Sequence, residues 1–448
     1  MNSPILHTRR AFLRCSALGG ALTGTVPSFL AATFDRLHTE AEGSAIAATT
    51  GRDATILVLL QLAGGNDGLN TVIPRLDDEY RKARPTLGLD GAAVLKLSDA
   101  FGLHPALKGL QTLHDEGRLA TIHAVGYPNA NRSHFRSTDI WMTATDSDQV
   151  SSQGWIGRYF DHACPGADPV IGVAVARQNP LAFASQKPAG VAVNTPEAYR
   201  YVAGDDPADD EEEGAGGDRF YRRMTRTDGD ALTGSLDRTG GSIEAAGGTP
   251  PSGSALDYLE RTALQAQVSS DQIRSVSERV RNRAAYPNSR LARDLQFVAR
   301  MIAGGLSTRV YFVSHGGYDT HTQQAPTHQR LLSELGDALA AFQSDLGSLG
   351  QQERVVVMTF SEFGRRVSEN ASGGTDHGAA APLFIIGEHI RPGFHGVMPS
   401  LAPDQRLHGD LQFTTDFRQV YTTVLEQWLR TPAAPILGRA FPALNLFA

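Results

Sequence analysis

Short runs of apolar residues punctuate the chain at Thr55–Leu62 (TILVLLQL), Leu119–Val125 (LATIHAV), Val170–Val175, Arg309–Ser314 (RVYFVS), Arg354–Phe360 (RVVVMTF) and Pro382–Ile386. None alternates cleanly between apolar and polar positions, as expected of strands covered on both faces. Between them the apolar period lengthens to that of a helix. His104–Glu116 puts Leu107, Leu110 and Leu113 on one side, and Leu331–Leu346 does the same with Leu331, Leu335, Ala338, Leu339 and Phe342. Asp416–Leu429 opens with Thr415 or Asp416 as N-cap and turns Val420, Val424, Leu425 and Trp428 inward. Strands alternating with such helices predict an α/β fold with a mostly parallel, doubly wound sheet.

The pattern breaks in two places. From Gly204 to Gly253 the chain runs through Asp205-Asp206 and Asp209-Asp210-Glu211-Glu212-Glu213 into Gly, Thr and Ser. That composition predicts a solvated insertion, and it lacks the ligand spacing of an EF-hand loop. A helical stretch from about Ser254 to Arg283 follows, expected to pack as a cover or lid. At the N-terminus, Thr8-Arg9-Arg10-Ala11-Phe12-Leu13-Arg14 precedes a mildly apolar, glycine-rich stretch from Ser16 to Phe34. Paired arginines there predict a twin-arginine signal, recognised by the twin-arginine translocase; the alternative is a chance Arg-Arg ahead of an apolar helix. Ala45-Ile46-Ala47 offers a small-x-small cleavage site, and Ala31-Ala32 a weaker one. The expected organisation is a signal over residues 1–47 and a single α/β domain over 48–448, exported already folded to the periplasm or beyond the cell.

Charge and cysteine content narrow the class. Residues 1–47 carry four arginines against three carboxylates, so the formal −7 of the 448-residue chain becomes −8 after cleavage. A mildly acidic protein argues against a nucleic-acid partner. Nothing after residue 50 is long and apolar enough to span a bilayer, and Arg14 disfavours a lipid on Cys15, so no stable membrane anchor is expected. Cys164 is then alone and forms no internal disulfide.

In open α/β sheets ligands bind beyond the carboxyl ends of the strands. Four segments there carry acidic residues and histidines among glycines: Gly64–Asn70 with Asp67, Ser314–His321 with Asp319 and His321, Ser361–Arg366 with Glu362, and Gly373–Gly378 with Asp376 and His377. Each has a plain structural use as well. Asp67 is equally a turn former, Asp319-x-His321 a cap for a helix near Thr327, Glu362 a salt-bridge partner of Arg365 or Arg366, and Asp376-His377 an ordinary loop. Together they compose a divalent-metal site, since carboxylates and imidazoles are the usual ligands of Zn, Mn or Fe. Gly64-Gly65 lacks the Lys-Ser/Thr ending of a P-loop, so nucleotide binding is unsupported. In Asn129–Arg136, Ser133 is either the N-cap of the next helix or a nucleophile aimed at the crevice, with His134 a general acid beside it. Arg132 and Arg136 are candidates for gripping an anionic substrate.

Gly64–Asn70, Asn131–Phe135, Gly316–His321, Phe360–Arg366 and Thr375–Gly378, in this order, resemble a family of exported proteins of unknown function that carry twin-arginine signals. That family is in turn similar to the alkaline phosphatase and sulfatase superfamily. The resemblance spans roughly residues 54–447 and implies a three-layer α/β/α fold with a metal-dependent site for phosphate or sulfate esters. It places Asp67 as the first carboxylate ligand, Ser133 near the nucleophile, Asp319 and His321 as a late ligand pair, Glu362 as the next carboxylate, and His377 with Asp376 as the last. It also matches His104–Gly117 to a helix before the nucleophile strand and Thr415–Leu429 to a closing segment. Two departures stand out. Only Thr320 separates Asp319 from His321, and Phe363 follows Glu362 where the superfamily has a histidine. A Cys/Ser-x-Pro-x-Arg signature is also absent, which argues against a formylglycine sulfatase.

The expected function is an exported hydrolase using a divalent metal (Zn, Mn, Fe or Ca) on an anionic small-molecule or polymer ester of phosphate or sulfate. The alternative is a non-catalytic binding or assembly protein on a degenerate phosphatase-like fold, which Phe363 favours. An isomerase or mutase moving phosphate within one molecule would use the same residues.

Overall fold

The computed structural model describes residues 55–186, 189–193, 269 and 272–448. Residues 1–47, expected to be a signal, and residues 204–253, expected to be an insertion, lie outside them; of the stretch from Ser254 to Arg283, residues 272–279 are helical. Cys164 is free, and among the described residues no helix is long and apolar enough to cross a membrane.

In chain order, β1 (Ile56–Ala63) is followed by β2 (Val72–Pro74), α1 (Asp78–Ala83), β3 (Leu95–Lys96) and β4 (Phe101–Leu103). Next come α2 (Lys108–Asp115), β5 (Leu119–Gly126), α3 (His134–Thr143), α4 (Trp155–Ala163), β6 (Gly172–Val175) and β7 (Val191–Ala192). The second half holds α5 (Arg290–Ala303), β8 (Val310–Gly316), α6 (Gln324–Ser348), β9 (Val355–Phe360), β10 (Ala381–Ile386), β11 (Gly393–His395), β12 (Thr415–Asp416) and α7 (Phe417–Thr423). The main sheet runs β11-β5-β10-β9-β1-β8-β6-β7, with β12 also pairing to β5, while β2, β4 and β3 form a separate small sheet.

All the apolar runs are strands, with ends displaced by a residue or two; Val170 and Ile171 belong to a short 3-10 turn before β6. The main sheet is not uniformly parallel. β10 runs antiparallel to both β5 and β9, whereas the other pairings are parallel. Nothing in an apolar run encodes its direction, which is why the pattern alone reads as parallel. The small sheet escapes the same reading because its strands are too short to display a period.

One face of β1 presents Ile56, Val58, Leu60 and Leu62 to a core shared with Leu110 and Leu113 of α2, Leu291 and Leu295 of α5, and Leu331 and Leu335 of α6. The other face is covered through aromatic side chains. Trp141 of α3 stacks between Phe360 and Phe417, Trp155 of α4 stacks on Tyr421 of α7, and Phe183 packs on Phe312 of β8. Helices on both faces make a three-layer α/β/α body. Each fully buried Leu or Phe contributes roughly 1.5–3 kcal/mol. α7 begins where expected: Asp416 is its N-cap, and Gln419 completes a capping box. The helix then widens into a π turn at Val424–Trp428, which accounts for the full apolar stripe to Leu429.

The reversal of β10 decides where the chemistry gathers. The carboxyl ends of β1, β5, β8 and β9 and the amino end of β10 all lie on one edge of the sheet. Residues after four strands and residues before a fifth therefore meet.

Candidate metal centre

Arg365 organises that edge. Its side chain is fully buried, and its guanidinium donates to the carbonyls of Gly64, Gly65, Tyr318 and Thr375 and to Asp319 Oδ1 at 2.7 Å. One cation thus ties the ends of β1 and β8 to the segment before β10. Gly64, at φ +120°, packs so closely that a Cβ would stand 2.5 Å from the Asp319 nitrogen, which explains the glycine there. The Asp319–His321 turn is laced to the later loop as well. Thr375 donates its N–H to the Thr320 carbonyl, Gln324 donates its own to Gly373, and the Asn370 amide bonds the His321 carbonyl. α3 is placed by Ser137, whose hydroxyl bonds Tyr127 at 2.7 Å and donates to the Glu362 carbonyl.

These contacts bring His134, Asp319, His321 and His377 together. Asp319 Oδ1 lies 3.1 Å from His321 Nε2 and 3.2 Å from His377 Nε2, and the two nitrogens are 2.9 Å apart. His134 Nε2 is 3.4 Å from Asp319 Oδ2 and makes no hydrogen bond, although it is buried. His134, Asp319 and His377 each offer a ligand atom within 4.8 Å of the others.

Each ring has its far nitrogen already committed. His134 Nδ1 faces Glu362 Oε1 at 2.8 Å, His377 Nδ1 faces the Arg132 carbonyl at 2.8 Å, and His321 Nδ1 faces Asp376 Oδ1 at 3.4 Å. All three partners are acceptors, so Nδ1 carries the hydrogen and Nε2 presents a lone pair. Two lone pairs therefore oppose each other at 2.9 Å beside a carboxylate. Such a set calls for a cation, either a proton shared between the rings or a metal ion. A triangle with edges of 2.9 to 3.2 Å suits three ligands on one face of an ion at about 2.1 Å. Partial burial raises the Asp319 pKa, but the hydrogen bond and charge of Arg365 outweigh it and hold it at about 2. Burial also lowers the His377 pKa, against the pull of the Arg132 carbonyl and Asp319, which keeps its lone pair available.

The remaining sequence candidates fall around this group. Glu362 is buried behind His134; its Oε1 also accepts the Gly64 N–H at 2.8 Å, and its Oε2 has no partner. It makes no salt bridge with Arg365 or Arg366; the Arg365 charge goes to Asp319 instead. Asp376 is exposed and fixes His321 from outside, its pKa lowered first by the Asn370 hydrogen bond. Ser133 stands at the N-cap position of α3 with no side-chain cap bond, exposed, its own N–H held by Asn131 Oδ1 at 2.8 Å. Arg132 pairs with Asp410, and Arg136 donates to the carbonyls of Asp146, Ser147 and Gln149.

Asp67 is not part of the group. Its carboxylate is sealed against Arg84 at 2.5 Å and accepts from Gln324 Nε2 as well. Burial alone raises its pKa, but the Arg84 charge and hydrogen bond outweigh that and hold it below the usual carboxylate range. Arg84 and Gln324 carry no signal in the sequence, because neither sits in a glycine-flanked strand end and both act through long-range pairing. Phe363, next to Glu362, packs its ring 4.8 Å from that of His134 and 4.5 Å from that of His377.

No curated protein matches the chain. Among solved structures, it is similar at 8% identity and TM-score 0.33 to Ps i-CgsB, over 86% of this chain and 73% of that one. The PsFucS1 sulfatase from Pseudoalteromonas sp. gives 10% identity and TM-score 0.33, over 90% of this chain and 72% of that one. The alkaline phosphatase from the Antarctic bacterium TAB5 gives 11% and 0.31, over 75% and 92%. At such scores these likenesses add nothing to the chemistry of the site. Residues 253–438, which take in the Asp319, Glu362 and His377 segments, match the model of a family described as protein of unknown function (DUF1501).

Proposed function

We propose that the chain is an exported, metal-dependent hydrolase of phosphate or sulfate esters, with Asp319, His321 and His377 as its metal ligands. The observation that carries this reading is the convergence of lone pairs: in His134, His321 and His377 each Nδ1 is tied to an acceptor and each Nε2 is turned towards the Asp319 carboxylate. An imidazole-rich set favours Zn or Fe over Ca, which takes oxygen ligands. A divalent ion held there supplies charge neutralisation for an ester anion and lowers the pKa of an oxygen nucleophile.

His134 moves the proton. With its Nδ1–H held by Glu362, its Nε2 accepts a proton from the Ser133 hydroxyl or from water, and the buried carboxylate stabilises the resulting imidazolium. Ser133 supplies the nucleophile at the positive end of α3. Arg132 and Arg366, each with a side chain 40% exposed, add positive charge for an anionic substrate.

A second reading, a non-catalytic binding or assembly protein, is favoured by the sealing of Asp67 against Arg84 and by the Phe363 ring beside His134 and His377. Elemental analysis of the purified mature protein separates the two. Under the hydrolase reading the wild type carries stoichiometric Zn or Fe, His321→Ala and Asp319→Ala carry none, and chelation stops turnover of p-nitrophenyl phosphate or sulfate. Ser133→Ala then lowers kcat by several orders of magnitude while metal content stays. A well-folded wild type that remains metal-free after incubation with each ion transfers the chain to the binding or assembly reading. Export is checked by cell fractionation: changing Arg9 and Arg10 to Lys should retain the protein in the cytoplasm.

A further inference from the structure

Gln324 is the first residue of α6 and is completely buried, yet none of its side-chain polar atoms is idle. Its Nε2 donates to Asp67 Oδ2. Its Oε1 accepts from Thr320 Oγ1 at 3.0 Å and from Thr375 Oγ1 at 2.6 Å. The orientation of the carboxamide is forced. An ionised carboxylate only accepts, so the NH2 group must face Asp67, and Arg84 keeps Asp67 ionised. The carbonyl is then left for the two threonine hydroxyls.

Those threonines occupy telling positions. Thr320 lies between Asp319 and His321, and Thr375 is two residues before His377. Thr320 and Thr375 are themselves joined by a backbone bond of 3.2 Å, and both side chains are buried. One carboxamide oxygen therefore sits across the two loops that carry the donor atoms.

We propose that Gln324 is a positioning residue for the metal centre, a clamp that sets the spacing between the Asp319–His321 turn and the His377 loop. The inference rests on the metal reading above. Asp67 and Arg84 act through it: the buried ion pair fixes which way the carboxamide points, and the carboxamide fixes both hydroxyls. Gln324 touches neither substrate nor metal. Its effect falls on affinity and ligand geometry, because outer partners of a metal site typically change affinity about 10- to 100-fold when removed.

Titration of the full mature chain with Co(II) alone, read by its visible absorption bands and by competition with Zn(II), tests the clamp. Gln324→Met, close in length and without the carbonyl, should bind Co(II) about 10- to 100-fold more weakly and with displaced bands. Thr375→Val should shift affinity in the same direction by less, and Thr375→Ser, which restores the hydroxyl, should return both affinity and spectrum to wild type. The threonine variants leave the Gln324–Asp67 contact intact, so they decide the matter even if Gln324→Met fails to fold. Wild-type affinity and spectrum in Thr375→Val and in folded Gln324→Met overturn the clamp while leaving the metal centre standing. A wild type that takes up no Co(II) overturns the metal reading and the clamp with it.

Discussion

Two polar clusters stand at the same edge of the sheet and are built from the same residue types, yet they are opposites. Around Asp67, the carboxylate is paired with Arg84; Asn70 accepts from Arg84 and Tyr80; His328 bonds Asn66; and the His104 ring lies edge-on to His328. All of these side chains are buried, and the charges cancel. Around Asp319, which also accepts from the buried Arg365, three imidazole Nε2 atoms face the carboxylate, and its side chain is 47% exposed. The first arrangement is complete without a ligand; the second calls for a cation. Residue type does not separate a structural carboxylate from a ligand, but the inventory of its partners does.

The sharpest way to break this comparison is Asp67→Ala. It leaves Arg84 charged, buried and unpaired, and should destabilise the fold by about 3–5 kcal/mol in denaturant unfolding. The protein that does fold should still take up metal at saturating concentration, where His321→Ala should not. Glu362→Gln comes next. It keeps the shape but weakens the hold on the His134 Nδ1–H, so kcat should fall about 100-fold, roughly 2.7 kcal/mol in barrier, with metal stoichiometry unchanged. If the metal is lost instead, His134 is a ligand rather than a proton carrier.

The third prediction concerns pH. Burial lowers the pKa of His104, His123 and His328 to about 4 in the folded protein. The unfolded chain titrates near 6.5, so below that pH it binds protons that the folded state refuses. Stability from these groups is therefore complete above about pH 6.5 and declines as pH falls towards 4, by up to about 1.4 kcal/mol per pH unit for each. Tm measured from pH 7 to pH 4 in metal-free protein should fall accordingly; a flat profile would mean these rings are not held neutral. The smallest effect is expected from Arg132→Ala. Its guanidinium is 40% exposed, and although Asp410 is buried, Arg366 stays 3.7 Å from that carboxylate, so the measured loss of stability should be about 1–2 kcal/mol.

The layers of the fold are legible in the sequence because Thr55–Leu62 and its counterparts combine unbroken apolar runs with flanking glycines, while Leu331–Leu346 keeps a helical period. Strand direction is not legible: reversing β10 leaves the apolar content of Pro382–Ile386 unchanged. Four glycine-flanked segments do mark the working edge, and the structure places Asp319, His321 and His377 within contact of one another. Asp67 occupies an equally marked segment and lies apart, sealed by Arg84, 17 residues on, and among the described residues no imidazole nitrogen is turned towards it such as surround the more exposed Asp319. Gln324 is invisible for a similar reason. A glutamine opening a helix looks like any exposed polar residue until three segments close over it.

The amino end of β10 also constrains the order in which the molecule can assemble. His134 and Glu362 are separated by 228 residues, and Gly64 and Glu362 by 298. Loops of that length are closed late and slowly, since their entropy is lost before the contacts compensate. Asp319, His321 and His377 lie within 58 residues of one another, but the complete group, with His134 and Glu362 in place, needs β1, β5, β8, β9 and β10 all docked. Any ion selective for this group would bind the native state alone, and mass action would draw the folding equilibrium towards it. Uptake of the ion would thus serve as a signal that folding has finished.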